Sequence, residues 1–202
     1  MHAGHEDERE QRWATWLAFA AIAGYAIAAL AMIFGPHTVG DVFTETDFYG
    51  AYGPGARALL RGHLDPSRYA VAGPAYEAML ALAGLVVRDL FLAAQLMAAG
   101  AMVAVLLLWR SLLARRGSAW LALATVALLA ANAQFFRYGW SATSDAPALA
   151  LQVATLWALL GARAGTPSAR RVFAAGLLAA LAFLTRYNSI TLLPAGLVAI
   201  EL

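Results

Sequence analysis

PAYEAMLALAGLVV, residues 74–87, decides the topology of this chain. The stretch is apolar, but its 14 residues rise only about 21 Å as a helix. A bilayer's hydrocarbon core is roughly 30 Å thick and takes about 20 residues to cross. Pro74 suits a first helical turn, where its missing N–H costs nothing, and Glu77 sits close behind it. The segment therefore reads as an interfacial or re-entrant helix. If it crossed instead, every later loop would change sides.

Outside this segment the apolar runs are longer. WATWLAFAAIAGYAIAALAMIF (13–34) has Trp13 and Trp16 at one end and Phe34 at the other, where interfacial aromatics belong. Residues 1–12 are polar and read as a solvated cytoplasmic tail. No small-residue cleavage pattern follows, so 13–34 reads as a retained anchor and not a signal peptide. The loop at 35–88 comes next, and further apolar runs begin near residues 90, 119, 148, 172 and 190. The chain is 62% hydrophobic, and it lacks the alternating short strands of a membrane β-barrel. The expected fold is an all-α, polytopic transmembrane helix bundle of about six spans, with 89–202 holding spans two to six and the last one truncated. With no cysteine, disulfides and thiolate metal sites are excluded. The net charge of +2 without a dense basic stripe gives no nucleic-acid reading.

Orientation follows from arginine, the only basic side chain here besides histidine. With 74–87 on the surface, Arg9, Arg12, Arg110, Arg115, Arg116, Arg163, Arg170 and Arg171 share one side. Arg57, Arg61, Arg68, Arg88, Arg137 and Arg186 share the other. The Arg115-Arg116 and Arg170-Arg171 pairs lie in short loops, which weigh most in the positive-inside rule. The N-terminus is thus expected in the cytoplasm, and the protein in the inner (plasma) membrane. Three polar stretches then meet on the periplasmic or extracellular face: TETDFYGAYGPGARALLRGHLDPSRYAVAGPAYEAML (44–80), FFRYGWSATSD (135–145) and RYN (186–188).

Each candidate residue in these stretches has two readings. Glu45 and Asp47 are spaced for a general base or a hard-cation site, while Thr44 with Asp47 also matches a capping box. Residues 48–61 read as an interfacial helix interrupted at Gly53-Pro54-Gly55. Tyr49 and Tyr52 lie on it as belt aromatics or as surfaces that stack on sugar rings. Asp145 is an N-cap with Pro147 in the first turn, or an ionisable group placed for function at a span's start. Arg137 and Arg186, at outer span ends, either snorkel or clamp a phosphate. Asp65 and Glu77 read as interface structure. No P-loop, dinucleotide fingerprint, zinc-protease or nucleophile-elbow motif is present.

The order of these parts is more specific than any one of them. An E-x-D outer loop is followed by FYGAYGPGARALLRGHLDPSRY, GPAYEAMLALAG, FFRYGWSATSDAP and AFLTRYNSITLLP. From Trp13 onward this resembles the N-terminal half of a membrane-embedded glycosyltransferase of the GT-C fold. It is close to the polyprenyl-phosphate-sugar-dependent protein mannosyl- and aminoarabinosyltransferases, glycosyltransferase family 39-like. The resemblance implies two membrane-parallel helices in the first outer loop. It implies Asp47 as the catalytic carboxylate with Glu45 beside it, and Asp145 as a second acidic site. Arg186, in the TRY pattern, and Arg137 would hold the lipid phosphate, with Tyr49, Tyr52, Tyr187 and Asn188 contacting substrate. A divalent cation, Mg²⁺ or Mn²⁺, would sit at Asp47 and Asp145. The partners implied are a polyprenyl-phosphate sugar donor, a protein, lipid or glycan acceptor, and membrane lipids. The activity implied is hexosyl or pentosyl transfer, with this half expected to be inactive alone.

Two other classes compete. A transporter or flippase for a lipid-linked sugar would carry ionisable groups at mid-span and internal repeats. The span interiors instead hold Gln95 and Gln152 as their strong polar groups. A non-catalytic membrane assembly protein would use the outer loop for docking.

Overall fold

The computed structural model describes residues 2–35, 45–70, 73–160 and 168–201; Thr44 and Arg163 lie outside them. All regular structure among the described residues is helical.

Helix α1 (His2–Phe34) buries Ala14, Ala18, Ile22, Tyr25, Ala29 and Ile33, a stripe at three- and four-residue steps. Its other face exposes Trp13, Trp16, Leu17, Ile27 and Leu30. A helix that is apolar on both its buried and its outward side is one that lipid solvates. The helix starts well before Trp13, so residues 2–12 belong to the same helix. No proline interrupts them, Glu8 and Arg12 have the helix-favouring i,i+4 spacing, and the Gln11 side chain accepts from the Ala119 amide at 2.9 Å.

Helices α2 (Glu45–Asp47) and α3 (Gly53–Leu60) are joined by a π-helical turn, Phe48–Tyr52, into one helical run. Gly53-Pro54-Gly55 does not interrupt it. Pro54 occupies the first turn of α3, where it needs no donor. A 3₁₀ turn, Pro66–Ala70, leads to α4 (Ala75–Gly84), which is ten residues long and buries Tyr76, Glu77 and Leu80. Glu77 is 4% exposed; it accepts from the Tyr69 hydroxyl at 3.0 Å and faces Arg68 at 3.6 Å. Its carboxylate occupies the space where a side chain on Gly55 would lie, and α3 packs against α4 there.

Central to the bundle is α5 (Leu90–Arg116), which packs on α1, on α6 (Ala119–Ala131) and on α8 (Asp145–Leu160). Asp89 caps it by accepting from the Phe91 and Leu92 amides at 2.9 and 3.3 Å. Arg115 and Arg116 end it, favourably placed on the helix dipole. Between α6 and α8 the polar stretch contains a short helix, α7 (Ala133–Tyr138), capped by Asn132 through the Phe135 amide. Helix α9 (Ala169–Thr185) packs on α8, and a 3₁₀ turn (Tyr187–Thr191) leads into α10 (Leu192–Glu201). Among the described residues two helices, over Glu8–Phe34 and Leu90–Arg116, are long and apolar enough to cross a bilayer; α6 and α8 are apolar and shorter.

The bundle has two unlike ends. At one, Arg110 lies over the Phe19 ring and Arg116 donates to the Leu160 carbonyl at 2.8 Å. At the other, α2 to α4 meet the starts of α5 and α8 and the end of α9, so the three polar stretches come together. Gly73 secures that meeting. A Cβ on it would overlap the Leu184 backbone, which has no rotamer with which to yield. We expect Gly73→Ala to cost about 3 kcal/mol and to lower the thermal midpoint of the detergent-purified protein by roughly 6–12 °C. Gly100→Ala, with open space around it, should leave the midpoint unchanged or raise it. Equal midpoints for the two variants would refute the close approach.

Candidate functional site

Asp145 begins α8, and its Oδ1 pairs with Arg186 Nη1 at 2.8 Å; both side chains are about one third exposed. Arg186 lies in the extended residue between α9 and its following 3₁₀ turn, which turns the guanidinium toward α8. The pair lines a cavity of about 240 Å³ with Tyr138, Leu149, Gln152 and Asn188. Asp145, Leu149 and Gln152 are spaced at four and three residues, which places them on one face of α8. Gln152 donates to the Ser189 hydroxyl at 2.8 Å, tying that face to the turn after Arg186.

The Asp47 segment reaches this site through Tyr52. Tyr52 is buried, its hydroxyl lies 3.0 Å from Ser144 Oγ, and its ring packs edge-on against Tyr76. Burial raises the pKa of the Tyr52 phenol; the Ser144 hydrogen bond opposes that, Asp47 and Asp145 add to it, and Arg186 lowers it. One hydroxyl thus lies within electrostatic reach of Asp47, Asp145 and Arg186. Tyr76 is buried beside it, with its hydroxyl unpartnered among the described residues.

Asp47 itself is exposed, in helical backbone, and its side chain makes no capping hydrogen bond to the turn that follows. The capping-box reading also involves Thr44, which lies outside the described residues. Glu45 begins α2, but its side chain lies outside the described residues.

The other candidates divide. Asn188 lines the cavity. Tyr187 stands next to Arg186, but its hydroxyl donates to the Tyr69 carbonyl at 2.7 Å and fastens the first loop to the end of α9. Tyr49 stacks on Phe91 at 5.7 Å, in a groove that shares no lining residue with the Asp145 cavity. Arg137 is half-buried in α7, without an ion-pair partner among the described residues; its neighbour Tyr138 is the residue that lines the cavity. Ser144, Tyr138 and Gln152 are site residues that motif reading passed over. The i,i+7 spacing of Gln152 from Asp145 was the available signal.

A divalent cation at Asp47 and Asp145 would meet an Asp145 already paired with Arg186, and no group of three or more His, Asp or Glu side chains comes together among the described residues. Mg²⁺ keeps several waters and is held through one or two carboxylates plus substrate phosphates.

A family model described as dolichyl-phosphate-mannose-protein mannosyltransferase matches residues 72–201. The matched span contains Asp145, Gln152 and Arg186; Asp47 precedes it. No curated protein and no solved structure matches the chain.

Proposed function

The chain belongs to the dolichyl-phosphate-mannose-protein mannosyltransferase family, and from that premise we propose that it moves a sugar from a polyprenyl-phosphate donor to an acceptor at the outer face of the membrane. Membership makes it part of a membrane glycosyltransferase. The donor, the face and the residue roles are our reading. The observation that carries it is the Asp145–Arg186 pair at a cavity, joined to the helical run that holds Asp47 by the contact of Tyr52 with Ser144.

The chemistry divides between two charges. An acceptor O–H or N–H gives its proton to the Asp47 carboxylate as its heteroatom bonds to the anomeric carbon. The bond from that carbon to the phosphate oxygen breaks, and polyprenyl phosphate leaves. Arg186 meets the charge on the departing phosphate. Asp145 holds the guanidinium in place until the phosphate arrives, and Tyr52–Ser144 sets the distance between the acid loop and α8. In this reading α3 and α4 lie along the membrane surface, the N-terminus is cytoplasmic, and the donor's tail stays in the bilayer. Incubating the complete gene product in its membrane with a labelled polyprenyl-phosphate sugar tests this: labelled acceptor supports it, and an uncleaved donor contradicts it.

A further inference from the structure

We propose that Arg57 and Arg88 form a binding site for the phosphate of an anionic phospholipid at the membrane surface, separate from the Asp145 cavity. The two arginines line a groove of about 560 Å³ between the first loop and the start of α5, together with Tyr49, Leu60, Asp89 and Phe91. Both are exposed, and neither has an acidic partner among the described residues. Two other arginines at this end are paired, Arg68 with Glu77 and Arg186 with Asp145. The carboxylate in the groove, Asp89, is engaged through Oδ1 with the first amides of α5. The groove therefore presents two guanidinium forks, whose planar donors match phosphate oxygens.

Its surroundings identify the source of the phosphate. Tyr49 and Phe91 are stacked with an interplanar angle of 21° and make a rigid aromatic wall. Leu60 is 43% exposed, and Leu82, Leu85 and Val86, just before Arg88, are 67, 69 and 86% exposed. The Leu60 side chain approaches Gly84, so the ends of α3 and α4 form one apolar lip beside the charges. Exposed aliphatic side chains next to arginines and aromatics form an interfacial arrangement, with acyl chains on the apolar side and headgroups on the charged side. An acidic peptide would leave the lip uncovered. A phospholipid covers both parts.

The test uses the protein purified in neutral detergent, with phosphatidylglycerol and phosphatidylcholine added separately. Lipid retained is read by native mass spectrometry and stability by thermal midpoint. Phosphatidylglycerol should be retained and raise the midpoint; phosphatidylcholine should do neither. Arg57→Gln with Arg88→Gln should weaken phosphatidylglycerol retention roughly thirtyfold, from the attraction of an anionic lipid for two surface arginines. The double lysine variant should recover part of that. Arg61→Gln, outside the groove, should change nothing. Should the double glutamine variant not fold, each single variant should show about a fivefold loss. Equal retention by wild type and the glutamine variants would overturn the proposal. So would an equal midpoint shift from inorganic phosphate alone, or displacement of the lipid by an acidic peptide.

Discussion

Asp47→Asn is expected to lower sugar transfer by about 10²- to 10⁴-fold, the usual contribution of a positioned general base, without changing the protein's abundance in the membrane. Asparagine keeps the shape of aspartate and removes its ability to take a proton. The carboxylate is exposed and caps nothing in the turn that follows it, so its fold cost should stay within about 0.5 kcal/mol. Asp65→Asn is the matched control. Asp65 also lies in the first loop, but its Oδ1 closes a turn with the Ser67 amide and hydroxyl. Those hydrogen bonds hold its pKa below the usual carboxylate range, and transfer should survive its loss. Full turnover by Asp47→Asn at normal abundance would remove Asp47 from the reaction.

Arg186→Gln should cost about 10²- to 10³-fold, the scale of removing one donor from a developing anion. The Asp145–Arg186 pair is about one third exposed, and ion pairs at that exposure contribute at most about 1 kcal/mol to stability. A large loss of turnover with a small change in midpoint therefore separates a role toward the phosphate from a role in the fold. Arg186→Lys should restore only part of the rate, since ammonium keeps the charge and loses the fork. Asp145→Asn should cost less than Arg186→Gln, because it loosens the guanidinium without deleting it. If Asp145→Asn proved the more damaging, Asp145 and not Arg186 would be the group acting on substrate.

What could be read from the sequence was what depends on neighbours in the chain. The shortness of residues 74–87 follows from counting and holds in the ten residues of α4. The ends of α5 follow from Asp89 and the Arg115-Arg116 pair. The meeting of the three polar stretches at one end follows from alternating long and short apolar runs. Six spans were expected, and two helices have the length and apolarity to cross. One local reading failed for a local reason. Gly53-Pro54-Gly55 looked like a break, but proline belongs in a first turn, and the π-helical turn before it absorbs the change of register.

Contacts distant in sequence were beyond such reading. Glu77 seemed one more interfacial acid; it is a buried strut fitted against Gly55 and bonded by Tyr69. Tyr187 carries a motif-like position but is bonded to Tyr69, 118 residues away. Tyr52 and Tyr49 looked alike in sequence, yet one turns to Ser144 and the other to Phe91. Three residues of helical phase separate those two fates, and only the packing of α5 and α8 decides between them.

Bond cleavage at the donor's anomeric carbon is read from product balance. Proteoliposomes carrying the complete gene product would be given a polyprenyl-phosphate sugar labelled in both halves, with an acceptor on the outer face. Free polyprenyl phosphate and glycosylated acceptor should appear in equal amounts, both lost with Asp47→Asn. Intact donor carried across the bilayer, with no polyprenyl phosphate released, would contradict that cleavage.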